Sequence, residues 1–83
     1  MERLMLRYII GAVESFDSVS ALIVDAKTGE KTLLRLSERK AIDLLSASQE
    51  SGEPWFFAHS PDNVLIMCGP AELLEGFEQI KIQ

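Results

Sequence analysis

The segment Trp55-Phe56-Phe57-Ala58-His59 is apolar on both of its faces, which limits the folds open to the chain. Strand side chains alternate sides at every residue, so one set needs a core and the other needs separate cover. Residues 64–68, Val-Leu-Ile-Met-Cys, are as apolar, and Ser60-Pro61-Asp62-Asn63 between the two segments suits a tight turn with Pro61 in second place. The pair is therefore expected to form a hairpin. Trp55, Phe57 and Ile66 are assigned to one face, and Phe56, Ala58, Leu65 and Met67 to the other. Cover from two directions calls for a helix on one side and a barrel interior or a partner on the other.

An earlier hairpin has a more conventional pattern. Residues 19–25 and 32–36 alternate apolar and polar side chains around Ala26-Lys27-Thr28-Gly29, where Gly29 supplies the left-handed position after a type I turn. That turn sets Val19, Ala21 and Ile23 against Leu36, Leu34 and Thr32 on the core face. Ser20, Leu22 and Val24 then oppose Arg35, Leu33 and Lys31 on the outer face, and a one-residue slip would exchange the two. Two leucines, Leu22 and Leu33, thus meet outside the expected core.

The remaining elements follow from periodicity and punctuation. Residues 4–13 form a long apolar run of β-formers with Gly11 near its end, where a bulge or bend is expected, and residues 14–18 read as a polar break. Residues 37–51 carry Ala41, Ile42, Leu44, Leu45 and Ser48 at helical spacing. Ser37 is the expected N-cap, Glu38 suits the positive helix end, and Gly52 and Pro54 stop the helix. Gly69-Pro70 is expected to open a helical turn over 71–75, and residues 77–82 an edge strand.

The sum is an α+β fold in one domain, residues 1–83. It is expected to be a curled antiparallel sheet of five to six strands, in the order βββαββ(α)β, with one principal helix at about 38–51. Three meandering strands, a helix and two more strands resemble the element order of an OB-type barrel. A small open barrel or an open sheet crossed by the helix is the alternative. The resemblance lies in element order alone, and order does not give function.

Composition narrows the functional classes. A chain of 83 residues has little surface-to-volume margin, yet 47% of its residues are hydrophobic, a surplus that favours a homo-oligomer or a protein partner. The single cysteine, Cys68, rules out an internal disulfide and suits a reducing cytoplasm. No run approaches the roughly 20 apolar residues that span a bilayer, and no export signal is legible, so a soluble cytoplasmic protein without a membrane partner is expected. Net charge is −5. Most of the basic residues (Arg3, Arg7, Lys27, Lys31, Arg35, Arg39, Lys40) precede residue 43, and only Lys81 follows it. The acidic total disfavours nucleic acid as a general partner, since phosphate affinity comes from Lys and Arg.

Catalytic chemistry finds no foothold. His59 and Cys68 are the one nucleophile–base candidate, but pairing His59 with Val64 and Cys68 with Trp55 sets them roughly 13 Å apart at about 3.3 Å per residue. One His, one Cys and scattered carboxylates show no metal-ligand spacing. Asp17, Asp25 and Asp62 are explained by turns. No glycine-rich phosphate loop exists. The expectation is a non-enzymatic protein without metal or cofactor.

Two binding classes remain. Leu22, Leu33 and Val24, with Arg7, Lys31 and Arg35 steering an acidic partner surface, have the apolar centre and charged rim of an interface. The expected reading is a self-associating protein-interaction module, with the Glu72/Glu75/Glu78 segment of a second copy as one acidic partner. The alternative is an OB-like single-stranded nucleic-acid binder using Trp55, Phe57 and His59 as contacts beside the basic face. A small-ligand site near Trp55 and His59 is the third class.

Overall fold

The computed structural model describes residues 6–73. Five strands and one principal helix follow in order: β1 Arg7–Phe16, β2 Ser20–Asp25, β3 Lys31–Leu36, α1 Lys40–Ser51, β4 Trp55–His59 and β5 Val64–Pro70. The strands close into a barrel in the order β1-β2-β3-β5-β4, the OB-like arrangement that the element order suggested. Four seams are antiparallel. The fifth, between β3 and β5, is parallel and short, with Arg35 beside Val64 and Leu36 beside Leu65. The sheet is therefore mixed rather than wholly antiparallel, because the crossover through α1 brings β5 back in the direction of β3.

β1 is the strand on which closure turns. Its first half, Arg7 to Gly11, pairs with β4, and its second half, from Gly11 on, pairs with β2. Gly11 belongs to both seams. It lies opposite Asp25 on one side and Trp55 on the other, and the Ala26 amide donates to the Ile10 carbonyl at 2.9 Å beside it. A Cβ at this position would run into the Val24 carbonyl and sit 3.1 Å from the Ala26 nitrogen. The bend expected at Gly11 is thus a close approach of two backbones.

The strand does not stop at residue 13. It continues through Phe16, with Glu14 as the extra residue of a bulge between Val13 and Ser15. The polar break expected over 14–18 shortens to Asp17–Val19, because the bulge resets the alternation and returns Phe16 to the core side. The bulged Glu14 carbonyl accepts a hydrogen bond from Gln49 Nε2 at 3.4 Å, which ties α1 to the strand.

Ile9, Val13, Ala21, Ile23, Leu34, Leu45, Trp55, Phe57 and Leu65 form the core, with Ile23, Leu34, Leu45 and Phe57 fully enclosed. α1 contributes Leu45 and packs against β1 and β5. Its start differs from expectation. The helix begins at Lys40 with Arg39 in the N-cap position, and no side chain caps it, so Ser37 does not serve. The Glu38 and Arg39 carbonyls instead take the Ala41 and Ile42 amides at 3.2 and 3.0 Å, a tighter opening turn that leaves Ser37 outside the helix. Gly52 ends it in the left-handed conformation, at φ 69°.

The β4–β5 hairpin forms where expected, but its faces divide differently. Phe57 lies opposite Cys68 and His59 opposite Leu65, with an irregularity between Ala58 and His59 that leaves Ile66 as the odd residue. Leu65 consequently turns into the core, while Ile66 and Met67 are exposed. The other face of β4 is covered too: Phe56 is buried, with the Tyr8 ring 6.5 Å away and tilted by 60°. Gly69 and Pro70 finish β5 rather than opening a helix, and helical turns resume at residues 71–73. The edge strand expected over 77–82 lies outside the described residues.

Gly11→Ala should destabilise the protein by about 2 kcal/mol or more, since overpacking against backbone cannot relax by a rotamer change. Urea unfolding of the variant checks this, and a loss below about 0.5 kcal/mol would contradict the two-seam role of Gly11.

Candidate functional site

The β2–β3 hairpin has the register expected from its turn. Ser20, Ala21, Leu22, Ile23 and Val24 face Arg35, Leu34, Leu33, Thr32 and Lys31 in that order. Gly29 takes φ 77°, its amide donates to the Asp25 carbonyl at 2.9 Å, and the Asp25 amide donates to the Glu30 carbonyl at 2.8 Å. Asp25 Oδ1 also accepts from the Lys27 and Thr28 amides at 2.7 and 3.1 Å. These bonds hold its carboxyl below the usual aspartate range, the Thr28 amide contributing most. Asp17 acts likewise at the β1–β2 connection, accepting from the Val19 and Ser20 amides, each at 2.8 Å. Both aspartates are turn residues, occupied by backbone.

One expected core residue of this hairpin lies elsewhere. Val19 is 64% exposed, because it precedes β2 and meets β3 only through its carbonyl, which accepts from the Leu36 amide at 2.8 Å.

On the outer face Leu33 is 56% exposed and Leu22 and Val24 are half-buried. With Ser15, Phe16, Asp17 and Ser20, the two leucines line a shallow groove of about 260 Å³. Each of the two cations beside them lies near a carboxylate of its own chain, and both pairs are exposed to solvent. Lys31 Nζ lies 3.0 Å from Glu14 Oε1, and Arg35 Nη2 lies 3.7 Å from Asp62 Oδ2 across to the β4–β5 turn. Asp62 is itself bonded by the Ser60 hydroxyl, which also accepts from the Val64 amide at 3.1 Å. Sequence reasoning missed both ion pairs, since each joins segments whose adjacency is created by the barrel. Arg7 stands apart from this group. It lies on the half of β1 that pairs with β4, opposite His59.

The aromatic contacts of the nucleic-acid alternative are inside the protein. Phe57 is fully buried, Trp55 and His59 are nearly so, and Trp55 and Phe57 belong to the core. Bases have no ring face there to stack on. The reason is barrel closure, which turns that face of β4 inward. Nδ1 of His59 sits 2.8 Å from the Ser60 carbonyl oxygen.

Cys68 is opposite Phe57 rather than Trp55, two register positions from the Leu65 that faces His59. Its half-buried thiol is pushed up to about 11 by desolvation, the opposite of an activated nucleophile. Among the described residues no three His, Cys, Asp or Glu side chains gather as a metal site, and no helix is long and apolar enough to cross a membrane. A second apolar strip also escaped the sequence pattern: Leu44 of α1 with Ile66 and Met67 of β5, beside a groove of about 180 Å³.

A thiol held near 11 predicts sluggish chemistry. Iodoacetamide at pH 8 should alkylate Cys68 roughly a hundredfold more slowly in the folded protein than in the urea-unfolded chain, by thiolate fraction alone. Equal rates would contradict the burial described.

Compared with protein-family models, with curated proteins and with solved structures, the chain matches none, so the barrel and its outer face carry the functional argument.

Proposed function

We propose that this protein is a non-catalytic interaction module that self-associates through the outer face of the β2–β3 hairpin. The observation that carries the reading is Leu33, a leucine left 56% exposed near the centre of β3, beside Leu22 and Val24. Fully burying a leucine is worth about 1.5–3 kcal/mol, so two copies meeting here gain from each exposed group they cover. The ion pairs to Glu14 and Asp62 refine the role of the basic rim. Lys31 and Arg35 carry carboxylate partners of their own chain, so apolar contact rather than charge steering supplies the affinity, and Arg7 lies outside the face.

Nucleic-acid binding is the second reading, supported by the strand order, since OB-fold barrels use the β2–β3 face for oligonucleotides. Buried aromatics and paired cations weigh against it. Affinity for a labelled single-stranded oligonucleotide that falls steeply with salt and weakens in Arg35→Ala would put it first.

Sedimentation equilibrium of the purified chain tests the principal reading. A wild-type dimer is expected in the micromolar range, with its dissociation constant raised about tenfold or more by Leu33→Glu and by Leu22→Glu, and with unchanged circular dichroism. An unaltered association constant in Leu33→Glu would sink the proposed face.

A further inference from the structure

The side of β3 that faces β5 is paired along only part of its length. Arg35 and Leu36 are the β3 residues in register with β5. In an antiparallel ladder, successive residues bond alternately to one neighbour and to the other. The Glu30 carbonyl accepts from Asp25 and the Leu36 amide donates to Val19, so residues 30, 32, 34 and 36 bond toward β2. The Arg35 amide donates to the Asn63 carbonyl at 2.8 Å, so residues 31, 33 and 35 bond the other way. Lys31 and Leu33 therefore direct two N–H and two C=O groups to an edge with no strand partner among the described residues, and both residues are exposed.

The geometry points to the β3 edge of a second copy as the occupant, the two strands running antiparallel about a two-fold axis at Thr32. This rests on the self-association proposed above and moves its contact from the apolar face to the strand edge beside it. Outward-bonding residues must lie opposite one another, which leaves three registers centred on this edge. Lys31 opposite its own copy sets like charges face to face. Leu33 opposite its own copy sets Lys31 against Arg35, again like charges, and needs the Arg35 amide that Asn63 already holds. The third register places Lys31 opposite Leu33 and Leu33 opposite Lys31, with Thr32 facing Thr32. It satisfies the four backbone groups on each copy that have no partner among the described residues, and it opposes no charges. An antiparallel edge is self-complementary under a two-fold axis, which is why a second copy fits it without further design. In the joined sheet the Leu22/Leu33 faces of the two copies lie side by side on one surface, so Leu33 is flanked by Lys31 of the second copy and is not covered face to face.

The test uses the full chain in sedimentation equilibrium. The Lys31 N–H has no bond among the described residues, and edge strands accept proline, so Lys31→Pro removes an intermolecular donor from each copy while keeping the β2 ladder. Lys31→Ala removes the same side chain and keeps the donor. Relative to Lys31→Ala, Lys31→Pro should weaken the dimer by about ten- to hundredfold, the worth of two lost hydrogen bonds. Thr32→Cys in a Cys68→Ala background should form an intermolecular disulfide on mild oxidation, since the axis pair is of the close, non-hydrogen-bonded kind. That cross-link also decides the matter if Lys31→Pro fails to fold. Equal dimerisation of the proline and alanine variants, or no cross-link, overturns the edge pairing. Leu33→Glu separates the two contacts: set opposite Lys31 of the second copy it leaves an edge-paired dimer intact, whereas its dissociation of the dimer together with equal proline and alanine variants keeps the face and overturns the edge. A wild-type chain that stays monomeric at high concentration overturns both.

Discussion

A glycine shared by two seams is the constraint from which the rest of this molecule follows. β1 can serve both β4 and β2 because at Gly11 the β2 backbone crosses where a side chain would stand. Once β1 bends there, its two halves become walls of one barrel. β4 is forced inward along Trp55 and Phe57, and the outer side of β2 and β3 is left facing solvent. Core and exposed face are two consequences of one bend.

The same closure decides which charges remain available. Glu14 bulges out of β1 and meets Lys31, and the β4–β5 turn carries Asp62 to Arg35. Each cation of the hairpin face thereby acquires a carboxylate from a different segment. A surface that looks basic along the chain becomes locally neutral in the fold, with leucines at its centre. Pairs this exposed are weak, so they lower the local charge without removing the cations.

Much of this was legible in the sequence where local chemistry sets the answer. Gly29 fixes the turn, the turn fixes the register, and the register puts Leu22 and Leu33 outside. The helix and its stop at Gly52 were equally plain, whereas its start was not, since the opening turn at Glu38 and Arg39 uses backbone carbonyls rather than the Ser37 hydroxyl. The faces of β5 were beyond reach for a different reason. Ile66 and Met67 are both apolar, so alternation gives no sign that an irregularity sends them outward and Leu65 inward. The parallel β3–β5 seam and both ion pairs join segments distant in sequence, and no local pattern records them.

The most direct test of the central claim is a concentration series of amide NMR spectra on the unmodified chain. Self-association through the hairpin predicts shifts and broadening that grow with concentration and centre on Leu22, Val24, Lys31 and Leu33. Spectra independent of concentration, or changes centred instead on Leu44, Ile66 and Met67, would contradict it.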